Sequence, residues 1–118
     1  MSQGVVRMVS EDRGFALGEP SGTAQMRGWF ALADGEEIDE FALLLAADAF
    51  PPPIFNSGLP VAWAPTVELT VHLRARPAPG PLRCVFRSRF VQDGTTDEDG
   101  EIWDSTGTLV CQARQLAL

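Results

Sequence analysis

Two polar residues stand where the surrounding pattern calls for apolar ones. Asp48 ends the run Leu43-Leu44-Leu45-Ala46-Ala47-Asp48, and Gln115 shares strand parity with Leu109, Cys111, Ala113 and Ala117. A carboxylate drawn into apolar surroundings loses hydration, and beside a cleft its raised proton affinity suits a general base. A position in the last turn of a helix sets Asp48 against the partial negative charge there as well. A buried amide needs partners, and as both donor and acceptor it can hold a water or a carbonyl oxygen. Each residue also has a plainer reading. Asp48 can point outward or bond the loop amides between Ile54 and Gly58, and Gln115 can be a core glutamine satisfied by backbone groups. Thr66, following Pro65, opens an alternating segment and would pass as a residue of good β-propensity. Its parity is opposite to Val67, Leu69 and Leu73, so if those face a core, Thr66 must reach any site from the strand end or another face.

The remaining candidates narrow the chemistry. His72 is the only histidine, which removes multi-histidine metal sites and makes any Cys-His or Ser-His-Asp scheme depend on one residue of a polar parity. No phosphate-binding glycine loop, CxxC pair or zinc spacing occurs, so no cofactor or metal is called for. Cys84 and Cys111 lie in alternating apolar segments and read as reduced, buried small hydrophobes rather than a disulfide. Arg83, Arg87 and Arg89 form a basic stripe, either the wet face of a strand or a contact for coenzyme A phosphates. A net charge of -7 argues against nucleic acid, whose phosphates demand a basic face. No apolar run reaches the roughly 20 residues that span a bilayer, and the N-terminus lacks a signal-peptide pattern, so a cytoplasmic protein without membrane insertion is expected.

Positioning these side chains falls to a short series of elements. Residues 1–21 show no convincing period and read as a linker or N-terminal arm, leaving 22–118 as a single domain. Thr23 to Leu32 is a plausible first strand, closed by the Asp34-Gly35 turn signal. Ile38 to Phe50 reads as a helix with Asp34, Glu36, Glu37 and Asp39 around its start and Pro51, Pro52 and Pro53 ending it. Beyond Glu40 it is apolar on every side except Asp48, the pattern of a central helix buried all round. Thr66 to Arg74 alternates as a half-buried strand, and Leu82 to Val91 alternates again after the Pro77–Pro81 turn, with Leu82, Cys84, Phe86 and Phe90 inward. Asp93 to Gly100 reads as a solvated acidic loop, after which Glu101 to Asp104 pairs across Ser105-Thr106-Gly107 with Thr108 to Ala117. An antiparallel sheet of about five strands curled around one helix follows, an α+β hotdog fold.

Three stretches carry a family resemblance: the helix end Leu43–Asp48, the strand Pro65-Thr66-Val67-Glu68-Leu69-Thr70-Val71-His72-Leu73-Arg74, and the closing hairpin Glu101 to Gln115. Together they resemble the C-terminal hotdog of the acyl-CoA thioesterase II family and its thioesterase-like relatives, from about Gly28 to Leu118. In that family an aspartate at the end of the central helix, a threonine opening the next strand and a glutamine near the end of the last strand position the attacking water. The resemblance therefore implies a hydrolase of acyl-CoA, active in lipid metabolism, in which Asp48 takes a proton from water that Thr66 and Gln115 orient. Members of the family carry two hotdogs packed side by side in one chain. A single hotdog must pair with itself as a homodimer, pair with a separately encoded hotdog, or be a fragment of a longer chain. A non-catalytic acyl or coenzyme A binding module, or half of a double-hotdog assembly, is the alternative. A hotdog hydratase or dehydratase would need a histidine paired with a carboxylate at the acyl site, for which His72 is poorly placed.

Overall fold

A computed structural model describes residues 4–32, 39–57 and 66–118. Among the described residues seven strands form one antiparallel sheet: β1 (Gly4–Met8), β2 (Gln25–Leu32), β3 (Thr66–Leu73), β4 (Leu82–Arg87), β5 (Val91–Gln92), β6 (Thr95–Trp103) and β7 (Leu109–Ala117). Their spatial order is β1-β2-β4-β6-β7-β3, with the short β5 paired to β6. The α-helix α1 (Glu40–Ala49) lies on the sheet's inner face, so the hotdog architecture expected from the pattern is the one observed.

The helix forms where capping and composition both favour it. The Asp39 carboxylate accepts from the Ala42 amide at 2.9 Å, and Phe50, before the three prolines, is already extended. Small and large residues segregate around it. Ala42, Leu43, Ala46 and Ala47 are buried against the sheet, whereas Phe41, Leu44 and Leu45 are exposed, Phe41 to 76%. The expectation of burial all round is thus corrected: the alanine face lies close on the sheet, and the bulkier apolar face is exposed, with no cover among the described residues. Beneath it, period-two alternation places Leu82, Cys84 and Phe86 of β4 and Cys111, Ala113, Gln115 and Ala117 of β7 inward. Phe50 meets Phe86 with ring centroids 5.1 Å apart, anchoring the turn that carries Asp48. Gly100 of β6 makes room for that anchor, since a Cβ there would come within 2.5 Å of the Phe86 ring.

Four further expectations are revised. The stretch read as a linker contributes β1, which pairs along β2 from Gly4↔Leu32 to Met8↔Gly28. Asp12, fully buried, accepts from the Arg27 amide at 2.8 Å and from its guanidinium at 2.9 and 3.1 Å, so no structural boundary falls at residue 21. The first strand of the notional 22–118 domain is the second of the sheet. Asp93 to Gly100 is mostly strand: after the tight turn at Asp93 and Gly94, both at positive φ, β6 runs from Thr95. Strand β4 stops at Arg87, and Phe90 lies 60% exposed instead of inward. Finally, β3 is exposed along its length except at Val71, because it forms an edge of the sheet that no other described residue covers. The Asp34-Gly35 turn and the acidic residues at 34, 36 and 37 lie outside the described residues.

Candidate active site

The register of β3 settles where Thr66 points. Its pairing with β7 steps from Thr66↔Ala117 to Glu68↔Leu116, so two residues of β3 oppose one of β7 and Val67 is the extra residue of a β-bulge. The bulge reverses the parity upstream of it. Thr66 therefore shares the inner face with Leu69 and Gln115, although simple alternation puts it on the opposite one. Its hydroxyl donates to Gln115 Oε1 at 2.7 Å. Gln115 is only 8% exposed, and among the described residues its side chain is held by this hydroxyl and by no backbone group. Among the described residues nothing hydrogen-bonds its Nε2, which leaves a donor beside the cavity next described.

That cavity, about 160 Å³, lies under the C-terminal end of α1 and is lined by Asp48, Thr66, Gln115, Glu98, Ser88 and Thr96 among others. All three residues singled out from the sequence thus meet in one place. Asp48 also borders a second hollow, of about 640 Å³, lined by Gly4, Phe30, Phe41, Leu44, Leu45 and Ala49. It stands at the junction of a small cavity of mixed polar and apolar lining and an apolar groove. Asp48 is exposed in the single chain. Among the described residues it makes no hydrogen bond, to the Ile54–Ser57 amides or to any other group. Gly58 lies outside them.

Glu98 is the functional candidate that sequence reasoning passed over. On β6 it pairs directly with Gln115, so the two side chains stand side by side on the inner face. Burial first and the nearby Asp48 charge second push its carboxyl up to about 7. Stepping back in twos from the inward Ile102 would have reached Gly100, Glu98 and Thr96; the run of acids hid the period.

The other candidates lie apart. His72 pairs with Gln112 and lines a hollow on the outer face with Arg87, Arg89, Arg114, Asp99 and Glu101. The basic stripe is already engaged there: Arg87 with Glu101 at 3.6 Å, Arg89 with Asp99 at 3.1 Å, and Arg83 over the Trp103 ring at 5.3 Å. Cys84 and Cys111 are free and buried, and desolvation pushes their thiols up to about 12 and about 11, so both remain protonated packing residues. Among the described residues no cluster of histidine, cysteine and carboxylates could hold a metal ion.

A family model described as the acyl-CoA thioesterase C-terminal domain matches residues 1–118. The chain belongs to this family. The match takes in β1 and the turns after it, as the sheet does, and so extends beyond the Gly28 to Leu118 resemblance. This thioesterase-domain chain is 39% identical to a provisionally named thioesterase II from Thermobifida fusca, with a TM-score of 0.83 over 97% of its own length and 44% of that chain. A hotdog protein of unknown function from Alicyclobacillus acidocaldarius superposes at a TM-score of 0.79 with 25% identity, again over 97% and 44%. The tesB protein of Mycobacterium avium subspecies paratuberculosis, 17% identical with a TM-score of 0.73 over 97% and 46%, shares the fold. A protein of Mycobacterium tuberculosis described only as uncharacterized is 40% identical over 84 residues, 71% of this chain and 28% of that one. The chain therefore spans less than half the length of these relatives. Among the described residues no helix is long and apolar enough to cross a membrane.

Proposed function

We propose that the chain hydrolyses acyl thioesters of coenzyme A, with Asp48 as general base and the linked Thr66 and Gln115 side chains holding the attacking water. The observation that carries this reading is the 2.7 Å Thr66–Gln115 hydrogen bond, made possible by the β3 bulge, in a cavity that Asp48 also lines. Water in the cavity can donate one hydrogen to the Asp48 carboxylate while the Gln115 Nε2 and the Thr66 hydroxyl oxygen orient it toward a thioester carbonyl. The apolar groove beginning at Asp48 takes the acyl chain along Leu44, Leu45 and Phe41, which leaves the carbonyl at the polar junction. Turnover releases a carboxylate and coenzyme A, in the cytoplasm, as part of lipid metabolism.

The working form contains a second hotdog. The exposed β3 edge, the bare apolar face of α1 and the relatives of more than twice the length all support a partner that closes the groove and desolvates Asp48. A second copy of the chain is the simplest partner. One observation favours a non-catalytic reading: with Asp48 exposed and the groove open, the isolated chain is an acyl-binding half whose chemistry resides elsewhere. Thiol release from a panel of short to long acyl-CoA thioesters, measured with light scattering on the same sample, separates the two. Hydrolysis by a dimer supports the thioesterase reading; a folded chain that binds acyl-CoA without releasing thiol supports the binding module. A monomer at micromolar concentration contradicts self-pairing.

A further inference from the structure

We propose that Glu98 is a second catalytic carboxyl of this site, donating a proton to the departing sulfur while Asp48 takes one from water. This rests on the thioester-hydrolase reading above and adds to it a division of acid and base roles between two residues. Glu98 stands beside Gln115 on the inner face and lines the same cavity as Asp48. Among the described residues its carboxyl makes no hydrogen bond or ion pair, whereas its neighbours Asp99 and Glu101 on the outer face are matched by Arg114, Arg89 and Arg87. The groups facing it are Asp48 from α1, Gln115 from β7, Thr66 from β3, and Ser88 and Thr96 from the β4–β6 side. Among the described residues of this lining Asp48 is the other ionisable group, and none is a cation.

Two carboxyls sharing a cavity without a cation cannot both be charged cheaply, so one retains a proton. Burial together with the Asp48 charge makes Glu98 the protonated member, up to about 7. The reaction needs such a donor. As water oxygen bonds to the thioester carbon, its proton passes to the Asp48 carboxylate. When the tetrahedral intermediate collapses, the carbon–sulfur bond breaks, the electron pair goes to sulfur, and the Glu98 carboxyl supplies its proton, giving a free thiol. Asp48 then returns its proton to Glu98, directly or through a cavity water. The sum is thioester plus water to carboxylic acid plus thiol, with both side chains restored.

The test compares Glu98→Gln with the native sequence on two thioesters of the same acyl group. One is the coenzyme A thioester, whose alkyl thiolate leaves poorly without a proton; the other is a nitrothiophenyl thioester, whose thiolate leaves unaided. Glu98→Gln should lower kcat on the coenzyme A thioester by about 100-fold and on the aryl thioester by no more than about 3-fold. The fall in activity above pH about 7 on the coenzyme A thioester should vanish in the variant. Equal losses on both substrates, or no loss on either, overturn the proposal. Failure of the hydrolase reading is distinct: the native chain would be inert on both esters, and the Glu98 role would fall with it. A carboxyl carbon NMR titration, independent of turnover, should place Glu98 near 7 and move it downward in Asp48→Asn; a midpoint in the ordinary carboxylate range overturns the proposal.

Discussion

Strands β6 and β7 carry charge on both faces of one sheet, and the two faces treat it in opposite ways. On the outer face Asp99 is flanked by Arg89 at 3.1 Å and Arg114 at 3.5 Å, and Glu101 by Arg87. These are part-exposed pairs that contribute little to stability individually. On the inner face Glu98 and Asp48 face one cavity with no cation among its described lining residues, although the chain has nine arginines to place. Matched charge on the outside keeps an acidic surface wet and orderly. Unmatched charge on the inside costs stability, and such groups concentrate where a protein needs a proton to move.

The contrast can be broken from either side. The largest effect is expected at the base: Asp48→Asn should lower kcat by about 100- to 10,000-fold with the fold intact, read from thiol release and thermal unfolding of the same preparation. The cost of the inner charge should appear in stability against pH. Because the Glu98 carboxyl is raised in the folded chain, its favourable contribution is complete below about 4.5 and is lost as pH rises through about 7. Urea unfolding should therefore show the native chain losing on the order of 1–3 kcal/mol relative to Glu98→Gln across that window, and a constant difference would contradict the uncompensated charge. Gln115→Ala should cost about 10-fold in turnover and about 1 kcal/mol in stability, since it strips the Thr66 hydroxyl of its acceptor. A large stability loss with unchanged turnover would return Gln115 to a packing role. The smallest effect is expected outside: Arg114→Gln should change stability by no more than about 0.5 kcal/mol and leave hydrolysis unchanged.

What could be read from the sequence divides along physical lines. Asp48 and Gln115 were legible because a single polar residue breaks an otherwise apolar pattern, and the hotdog followed from one apolar helix beside alternating strands. The inward turn of Thr66 was not, because a β-bulge inserts one residue and inverts a parity that alternation assumes constant. Glu98 was hidden for a related reason: in Thr96-Asp97-Glu98-Asp99-Gly100-Glu101 the acids swamp the period-two signal that shows which of them turn inward. The bare face of α1 was illegible because alanine and leucine both count as apolar, so composition could not separate the close-packed side from the uncovered one. Strand β1 left little trace because an edge strand of five residues, half exposed, needs almost no hydrophobic pattern. Its place is fixed instead by pairing with β2 and by the Asp12–Arg27 contact behind it.

The most direct test of the inner-face chemistry is the rate of coenzyme A release from the best acyl-CoA substrate by the native chain and by Asp48→Asn, with both shown folded and in the same oligomeric state. The account predicts hydrolysis by the native chain and its loss in the variant. An Asp48→Asn chain that hydrolyses at the native rate would contradict it.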